Sequence, residues 1–319
     1  MKTGNVRSIW ELAPDKKEIK MELKLPERPV KVNLLALGDV GATLLLGLKT
    51  LGGDIIDTIG IFDVNPDVMA RYEIEMNQVG WLFGQRRTPE VVCLAQEELF
   101  DCDMFIFCAS KAIPPIGTTG DVRMMQLEAN SKIVSIYAKM AAERNYKGIF
   151  AVVSDPVDNL CKAALDASGL DPAQIKGYGL GVMNKRAEYY ARRYERFGSY
   201  LSEGRAFGPH GRDLVIANSI DDYDDELSRE LTELAVEANL RVRELGFKPY
   251  IAPALSSGAI SILLTLSGEW NYSSVYLGEA FMGIKNRINK EKNVVEVEDL
   301  PLPQELFVRI ERAYENLKR

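Results

Sequence analysis

Short apolar runs alternate with longer amphipathic stretches in the first half of the chain after residue 30. The runs are rich in β-branched and aromatic residues, which is typical of strands that are buried on both faces. The stretches between them repeat their apolar positions at helical spacing. Strands that alternate with helices predict βαβ units and a parallel sheet. The predicted strands are 32–37, 55–63, 104–109 and 148–153, and the predicted helices are 42–51, 66–79 and 123–144.

The second half of the chain has a different pattern, which predicts a mixed α+β arrangement. The residues before 31 lack a clear period and contain Pro14, Pro26 and Pro29. We interpret them as an N-terminal extension that adds an edge strand at 21–25. In the second half we predict helices at 186–196, 224–245, 259–266 and 303–318, and strands at 273–282 and 293–297.

Composition and charge exclude several classes of protein. The chain has 319 residues, of which 46% are hydrophobic, and its formal net charge is −7. That length suits two domains of roughly 150 residues each, and the composition excludes a disordered chain. A net-acidic chain repels phosphate backbones, so we expect no nucleic-acid partner. The N-terminus lacks the apolar segment of a signal peptide, and no apolar run is long enough to span a bilayer, so we expect a cytoplasmic protein with no membrane contact.

The cysteines indicate neither a metal site nor a redox pair. Their spacings match no zinc motif and no CxxC motif, and three of them lie in apolar surroundings. We therefore expect reduced thiols that serve as small buried side chains, and no bound metal. The four cysteines are Cys93, Cys102, Cys108 and Cys161.

A glycine turn joins the first predicted strand to the first predicted helix. The pattern is Ala36-x-Gly38-x-x-Gly41, in which alanine stands at the first glycine position of a dinucleotide-binding turn. Such turns need glycine because the backbone must approach a pyrophosphate at a helix N-terminus. Asp63 ends the next strand 22 residues after Gly41, where an acidic residue binds a ribose hydroxyl and favours NAD over NADP. The alternatives are a tight turn without a ligand and an aspartate that only begins a helix.

A single histidine, His210, lies between two glycines in the segment 207–213. Its side chain has the pKa nearest to neutrality, which suits general acid–base chemistry. Taken alone, a histidine in a glycine loop is more often structural or solvated than catalytic.

Together these features resemble the lactate/malate dehydrogenase family over nearly the whole chain after residue 30. The glycine turn is similar to the family's GxGxxGxT, and Asp63 stands at its ribose aspartate. Arg123 stands at its catalytic-loop arginine and His210 at the histidine of its GEHGD string. Three further segments are similar to family strings: 108–110 to TAG, 152–158 to VVSNPVD and 250–254 to YxPA. Asn130 and Ile133 follow Arg123 at the spacing of the family's catalytic loop.

The resemblance implies a doubly wound α/β Rossmann domain followed by an α+β substrate domain, which places the extension at 1–30, the dinucleotide-binding domain at 31–157 and the catalytic domain at 158–319. It implies hydride transfer between NAD and a small hydroxy or oxo substrate, with His210 moving the hydroxyl proton and Arg123 polarising the carbonyl. It also implies a homodimer or homotetramer. The implied cofactor-binding residues are Gly38, Val40, Gly41, Asp63, Ala109, Ser110 and Asn130.

Four positions depart from the family pattern. Asp155 replaces the asparagine of SNPVD, and Asn184 replaces the aspartate that orients the histidine. Ala187 stands where the family's LDxxR string has its carboxylate-binding arginine, and Arg186 comes one residue earlier. One residue along a helix turns the side chain by about 100° around the axis, so Arg186 would point elsewhere unless the helix start is shifted. Gly117 stands at a specificity position of the lid, which lacks the family's residues.

These departures change the expected substrate. Asp155 is expected to pair with His210, with Arg123 or with a cationic group of the substrate, because an unpaired buried carboxylate is costly. We therefore expect His210, Arg123, Asp155 and Asn184 to be catalytic, and Arg123, Asp155, Arg186 and Gly117 to contact a substrate other than lactate or malate. The alternative is a catalytically inactive NAD-binding protein with a regulatory or interaction role.

Overall fold

The computed structural model describes residues 6–14, 19–21, 24–111 and 122–319, apart from the side chains of 122–125. In these ranges the strands are β1 (Val6–Arg7), β2 (Ile19–Lys20), β3 (Val30–Leu35), β4 (Ile56–Phe62), β5 (Glu90–Cys93), β6 (Met104–Phe107), β7 (Ile149–Val152), β8 (Ile175–Gly177), β9 (Arg205–Phe207), β10 (Val215–Ala217), β11 (Asn271–Tyr276), β12 (Phe281–Asn289), β13 (Val294–Val297) and β14 (Leu302–Pro303). The α-helices are α1 (Asp39–Leu51), α2 (Pro66–Asn77), α3 (Val122–Glu143), α4 (Val157–Ser168), α5 (Leu180–Ala191), α6 (Tyr200–Glu203), α7 (Asp225–Glu244), α8 (Ser261–Ser267) and α9 (Gln304–Leu317), and a π-helix covers Pro253–Ile260.

A ten-stranded sheet runs through the molecule, and six of its strands are parallel in the order β5-β4-β3-β6-β7-β8. The chain winds outward from β3 in one direction and then from β6 in the other, so the fold is the doubly wound Rossmann arrangement that the sequence predicts. The apolar strand runs are buried because helices cover both faces. The strand order reverses between β3 and β6, and the ligand crevice of such sheets lies at the carboxyl ends of the strands there.

The sheet continues without a break into the second half of the chain. An antiparallel pairing joins β8 to β11, and β12, β13 and β2 extend the sheet. The parallel part therefore ends at Gly177. The division of the chain at 157/158 stays a prediction, and the sheet itself belongs to both sides of it.

Three of the predicted elements differ in extent or type from the structure. The strand expected at 273–282 is a hairpin of β11 and β12, because Gly278 adopts a φ of +99° in a turn that the Leu277 amide closes on the Ala280 carbonyl. The helix expected from residue 186 begins at Leu180. The edge strand expected at 21–25 lies earlier in the chain, as β2 (Ile19–Lys20), which pairs with β13.

A buried polar contact joins the parallel and antiparallel parts of the sheet. Lys176 on β8 donates from Nζ to Oδ1 of Asn286 on β12 at 2.8 Å, and both side chains are buried. Burial lowers the pKa of Lys176 to about 7 because the ammonium form loses its hydration. The Asn286 amide group in turn donates to the Ser273 carbonyl at 2.9 Å.

The cysteines are free thiols, and Cys161 is the one that is fully buried. Cys93, Cys102 and Cys108 are half-buried, so the expectation of burial holds only in part. Burial raises the pKa of the Cys102 thiol to about 12, which keeps it in the unreactive thiol form at neutral pH. Among the described helices, none is both long enough and apolar enough to cross a bilayer.

Candidate active site

The glycine turn after β3 has the geometry of a dinucleotide-binding turn although its first glycine is replaced. Ala36 adopts a φ of +75°, a left-handed conformation that glycine adopts without strain. A Cβ at Gly41 would lie 2.0 Å from the Ala36 carbonyl oxygen, so only glycine fits there. A Cβ at Gly38 would meet no atom within 4 Å, and the turn is therefore open at the N-terminus of α1. Val40 lies within the first turn of α1 and packs partly buried against the core.

Asp63 lies beside this turn at the end of β4. One of its carboxylate oxygens accepts the Leu37 amide at 2.8 Å, and the other accepts the Asn65 amide at 3.0 Å. A carboxylate oxygen accepts more than one hydrogen bond, so both oxygens can also take hydroxyl donors. The open glycine turn, the helix N-terminus and the half-buried carboxylate fit the pyrophosphate and the ribose of a dinucleotide.

The side chains of Asn130, a predicted cofactor-binding residue, and Ser154 tie together the ends of β6 and β7. Asn130, buried on α3, accepts the Lys111 amide at 2.9 Å and donates to the Asp155 carbonyl at 2.8 Å. Ser154 donates to the Ala109 carbonyl at 2.8 Å, and the neighbouring Ser110 is exposed. The Asn130 amide thus holds the backbone on which Asp155 is carried.

His210 and Asp155 form a close pair, with 2.8 Å between Nδ1 of the imidazole and Oδ1 of the carboxylate. The histidine side chain is 17% exposed and the carboxylate 59%, so the carboxylate lies on the solvent side of the pair. Because a carboxylate can only accept, this hydrogen bond favours the proton on Nδ1 and leaves a lone pair on Nε2. The pair has the geometry of a general base with its orienting carboxylate.

The loop between β9 and β10 presents His210, and glycine makes room for it. Gly208 and Gly211 have φ values of +90° and +117° on either side of the histidine. A Cβ at Gly179 would lie 2.9 Å from the His210 Cβ, so the start of α5 packs directly behind the imidazole.

Asn184, expected beside the histidine, lies on α5 and accepts a hydrogen bond from the Tyr200 hydroxyl at 2.8 Å. It therefore ties α5 to α6, and the carboxylate on His210 comes from Asp155 instead.

Arg186 and its neighbour Ala187 lie in different environments. Ala187 is fully buried in the core between α5 and α7, whereas Arg186 is half-buried. Burial lowers the pKa of the Arg186 guanidinium, and the negative charge of Asp155 opposes that effect. Nη1 of Arg186 lies 3.4 Å from the Ala235 carbonyl oxygen. Because α5 begins at Leu180, Arg186 lies in the second turn of the helix, and its role toward the substrate stays a prediction.

A second carboxyl group near the pair was not anticipated from the sequence. Asp158 is buried at the start of α4 and accepts a hydrogen bond from the Ser274 hydroxyl at 2.6 Å. Burial raises its pKa to about 7, and the nearby Asp155 charge adds to the rise while Ser274 and His210 oppose it. Asp158 is the last residue of the segment 152–158, which resembles the family string VVSNPVD. That resemblance could have indicated it, but only Asp155 was singled out because it departs from the family pattern.

Two predicted residues lie outside this description. Gly117 falls in the segment 112–121, and Arg123 is one of the helix residues whose side chains are not described. Within the described ranges, no group of three or more metal-ligating side chains comes together.

Part of the chain matches a known protein family. Residues 30–177 match the family model for lactate/malate dehydrogenase, NAD binding domain. Over these residues the chain is similar to the NAD-binding domain of the lactate/malate dehydrogenase family. Its NAD-binding domain accordingly contains the glycine turn, Asp63, Asn130 and Asp155, whereas His210 and Arg186 lie beyond it.

Similar proteins share the fold at low sequence identity. The L-lactate dehydrogenase of Mesomycoplasma hyopneumoniae (strain 232) is 24% identical over 195 residues, a match that covers 60% of this chain and 58% of that enzyme. The malate dehydrogenase of Aliarcobacter butzleri is 23% identical and covers 86% of this chain and 92% of its own. The minor L-lactate dehydrogenase of Enterococcus mundtii superimposes with a TM-score of 0.76 at 19% identity, over 92% of this chain and 97% of that structure.

Proposed function

We propose that this chain is an NAD-dependent oxidoreductase that interconverts a small hydroxy compound and its oxo form. The observation that carries the proposal is the 2.8 Å contact between His210 and Asp155, at the strand ends where the NAD-binding domain places its crevice. A homodimer or homotetramer and a cytoplasmic location are predictions that accompany it.

The pair suits the proton half of the reaction. In the oxidation direction, Nε2 of His210 takes the hydroxyl proton of the substrate, and the Asp155 carboxylate stabilises the imidazolium that forms. The electron pair of the C–H bond leaves with its hydrogen as hydride, which the nicotinamide accepts when NAD is bound. In the reduction direction, His210 returns the proton to the carbonyl oxygen. Arg123 is proposed to polarise that oxygen.

The cofactor would be held by residues of the NAD-binding domain. The open backbone at Gly38 and the N-terminus of α1 suit the pyrophosphate, and the Asp63 carboxylate suits the ribose hydroxyls and disfavours a 2′-phosphate. Ala109 and Ser110 follow β6, which lies beside β3 at the strand-order reversal, and they would contact the cofactor there.

The charges around the pair favour a substrate other than lactate or malate. An asparagine at position 155 would leave Arg186 as an uncompensated cation that suits a carboxylate. Here the negative charge of Asp155 opposes the positive charge of Arg186. A neutral hydroxy compound, or one that carries an ammonium group, therefore suits the site better than a dianion such as malate.

A substrate panel tests this proposal. The protein would be assayed with NAD on hydroxy acids, neutral alcohols, amino alcohols and amino-hydroxy acids, and with NADH on the matching oxo compounds, by the change in NADH absorbance. We expect turnover of a neutral or ammonium-bearing compound, with kcat/KM at least about tenfold above that for lactate and malate. Efficient turnover of lactate or malate alone would overturn the substrate assignment. NADH binding without turnover of any compound would support the inactive, regulatory alternative.

A further inference from the structure

An acidic residue occupies the phosphate turn itself. Asp39 is the first residue of α1 and follows Gly38 directly, and its side chain is 48% exposed. A carboxylate in the first turn of a helix is stabilised by the partial positive charge of the helix N-terminus. The pyrophosphate of a dinucleotide is stabilised by the same charge. Asp39 and a bound pyrophosphate would therefore repel each other, since both are negatively charged and both lie at the N-terminus of α1.

A lysine from the other half of the chain neutralises this carboxylate. Lys248 donates from Nζ to Oδ2 of Asp39 at 2.8 Å, across a sequence separation of 209 residues. The Asp39 carboxylate raises the pKa of Lys248, so the ammonium charge is maintained. Lys248 itself is 80% exposed, and its ammonium can therefore move without disturbing the core.

Close packing holds the segment that carries Lys248 against α1. The π-helix Pro253–Ile260 begins five residues after Lys248 and lies directly on α1. A Cβ at Gly47 of α1 would be 2.6 Å from the Ala259 Cβ, and a Cβ at Gly258 would be 2.7 Å from Leu44 Cδ1. Because glycine allows this close approach from both sides, the π-helix that follows Lys248 lies close to α1.

We propose that Lys248 is a cofactor-binding residue from outside the NAD-binding domain, and that it offsets the charge of Asp39 so that the pyrophosphate of NAD can occupy the turn. The inference rests on the proposed cofactor site. In the free protein the ammonium pairs with Asp39. With NAD bound, the same ammonium lies between two groups of negative charge and stabilises both. The Asp39–Lys248 pair thereby makes dinucleotide affinity depend on a contact between the two halves of the chain.

A mutant cycle tests the inference by binding rather than by turnover. NADH would be titrated by fluorescence into the unmodified protein, Lys248→Gln, Asp39→Asn and the double variant. Unpairing Asp39 leaves a negative charge beside the pyrophosphate, so we expect Lys248→Gln to raise the Kd for NADH roughly fivefold to tenfold. The double variant should return to within about twofold of the unmodified protein. Adenosine, which has no phosphate, should bind all four proteins alike.

The control is a matched pair far from the turn. Lys162 and Asp166 form an ion pair on α4 that is partly exposed, and Lys162→Gln should leave the Kd unchanged. Thermal unfolding without ligand checks that each variant is folded. NADH affinity that is equal in the unmodified protein and in Lys248→Gln would overturn the inference and leave the proposed function intact. Absence of NADH binding to the unmodified protein would overturn both.

Discussion

Replacing Asp155 by asparagine tests whether its carboxylate orients His210, on which the proposed mechanism depends. The change keeps the size of the side chain and removes its charge. A hydrogen bond to a charged group contributes about 1.5–3 kcal/mol, and the lower end applies here because the Asp155 side chain is 59% exposed. Loss of about 1.5 kcal/mol lowers kcat/KM by a little over tenfold.

A second effect adds to the first. An asparagine can donate its amide N–H to Nδ1 of His210, which places the imidazole proton on Nε2 and removes the base. In the serine proteases, the corresponding change from aspartate to asparagine lowers kcat about 10⁴-fold. The contact is more exposed here, so we expect a fall in kcat/KM between about 10-fold and about 1000-fold. The Kd for NADH should not change.

The assay is steady-state kinetics with the best substrate of the panel, together with NADH titration of the same samples. Asp166→Asn on α4, an exposed carboxylate in an ion pair away from the site, is the matched control. If kcat/KM of Asp155→Asn stays within twofold of the unmodified protein, the carboxylate does not orient His210. A rise in KM with unchanged kcat would instead make Asp155 a substrate-binding group.

Three further outcomes follow from the described contacts. Ala36→Gly should raise the unfolding free energy by up to about 1 kcal/mol in chemical denaturation, because glycine adopts the φ of +75° without strain; a destabilised variant would contradict the strain. Asp158 has a pKa of about 7 in the folded state against 3.8 as its ordinary value, so the folded protein retains a proton that the unfolded chain has lost, and stability should fall as the pH rises from about 4 to about 7. This pH dependence amounts to at most about 4 kcal/mol of unfolding free energy, and Asp158→Asn should remove it. If Asp158→Asn has the same pH profile of unfolding as the unmodified protein, the pKa of Asp158 is not raised. Arg186→Met should raise KM for carboxylate-bearing compounds at least about tenfold and leave neutral compounds nearly unaffected, and equal effects on both would remove Arg186 from substrate binding.

The parallel sheet could be predicted because its strands are nearly continuous apolar runs, a pattern that burial on both faces imposes. The hairpin of β11 and β12 was missed, since Gly278 is one glycine within a long apolar stretch and only the folded turn shows its positive φ. The start of α5 was missed for a similar reason. Gly179 and Gly181 weaken the helical pattern at the buried first turn of α5. Glycine is required at these positions because His210 and the segment at Ser256 pack against them.

The candidate site was predictable where a residue type is rare or departs from a family string. His210 is the only histidine, and Asp155 stands where an asparagine was expected, so both could be singled out. The register of Arg186 depends on where α5 begins, which the amino-acid pattern does not reveal. The pairing of Asp39 with Lys248 joins residues that are 209 positions apart, and only tertiary structure brings such charges together.

The central claim is that His210 moves the substrate proton in an NAD-dependent reaction, and the variant His210→Gln tests it most directly. Glutamine keeps a polar side chain at this position but cannot act as a base near neutral pH. We expect kcat to fall at least about 100-fold while the Kd for NADH, measured in the same preparation, stays within about twofold. Turnover that persists in His210→Gln with unchanged NADH binding would show that another group moves the proton, and would contradict the mechanism.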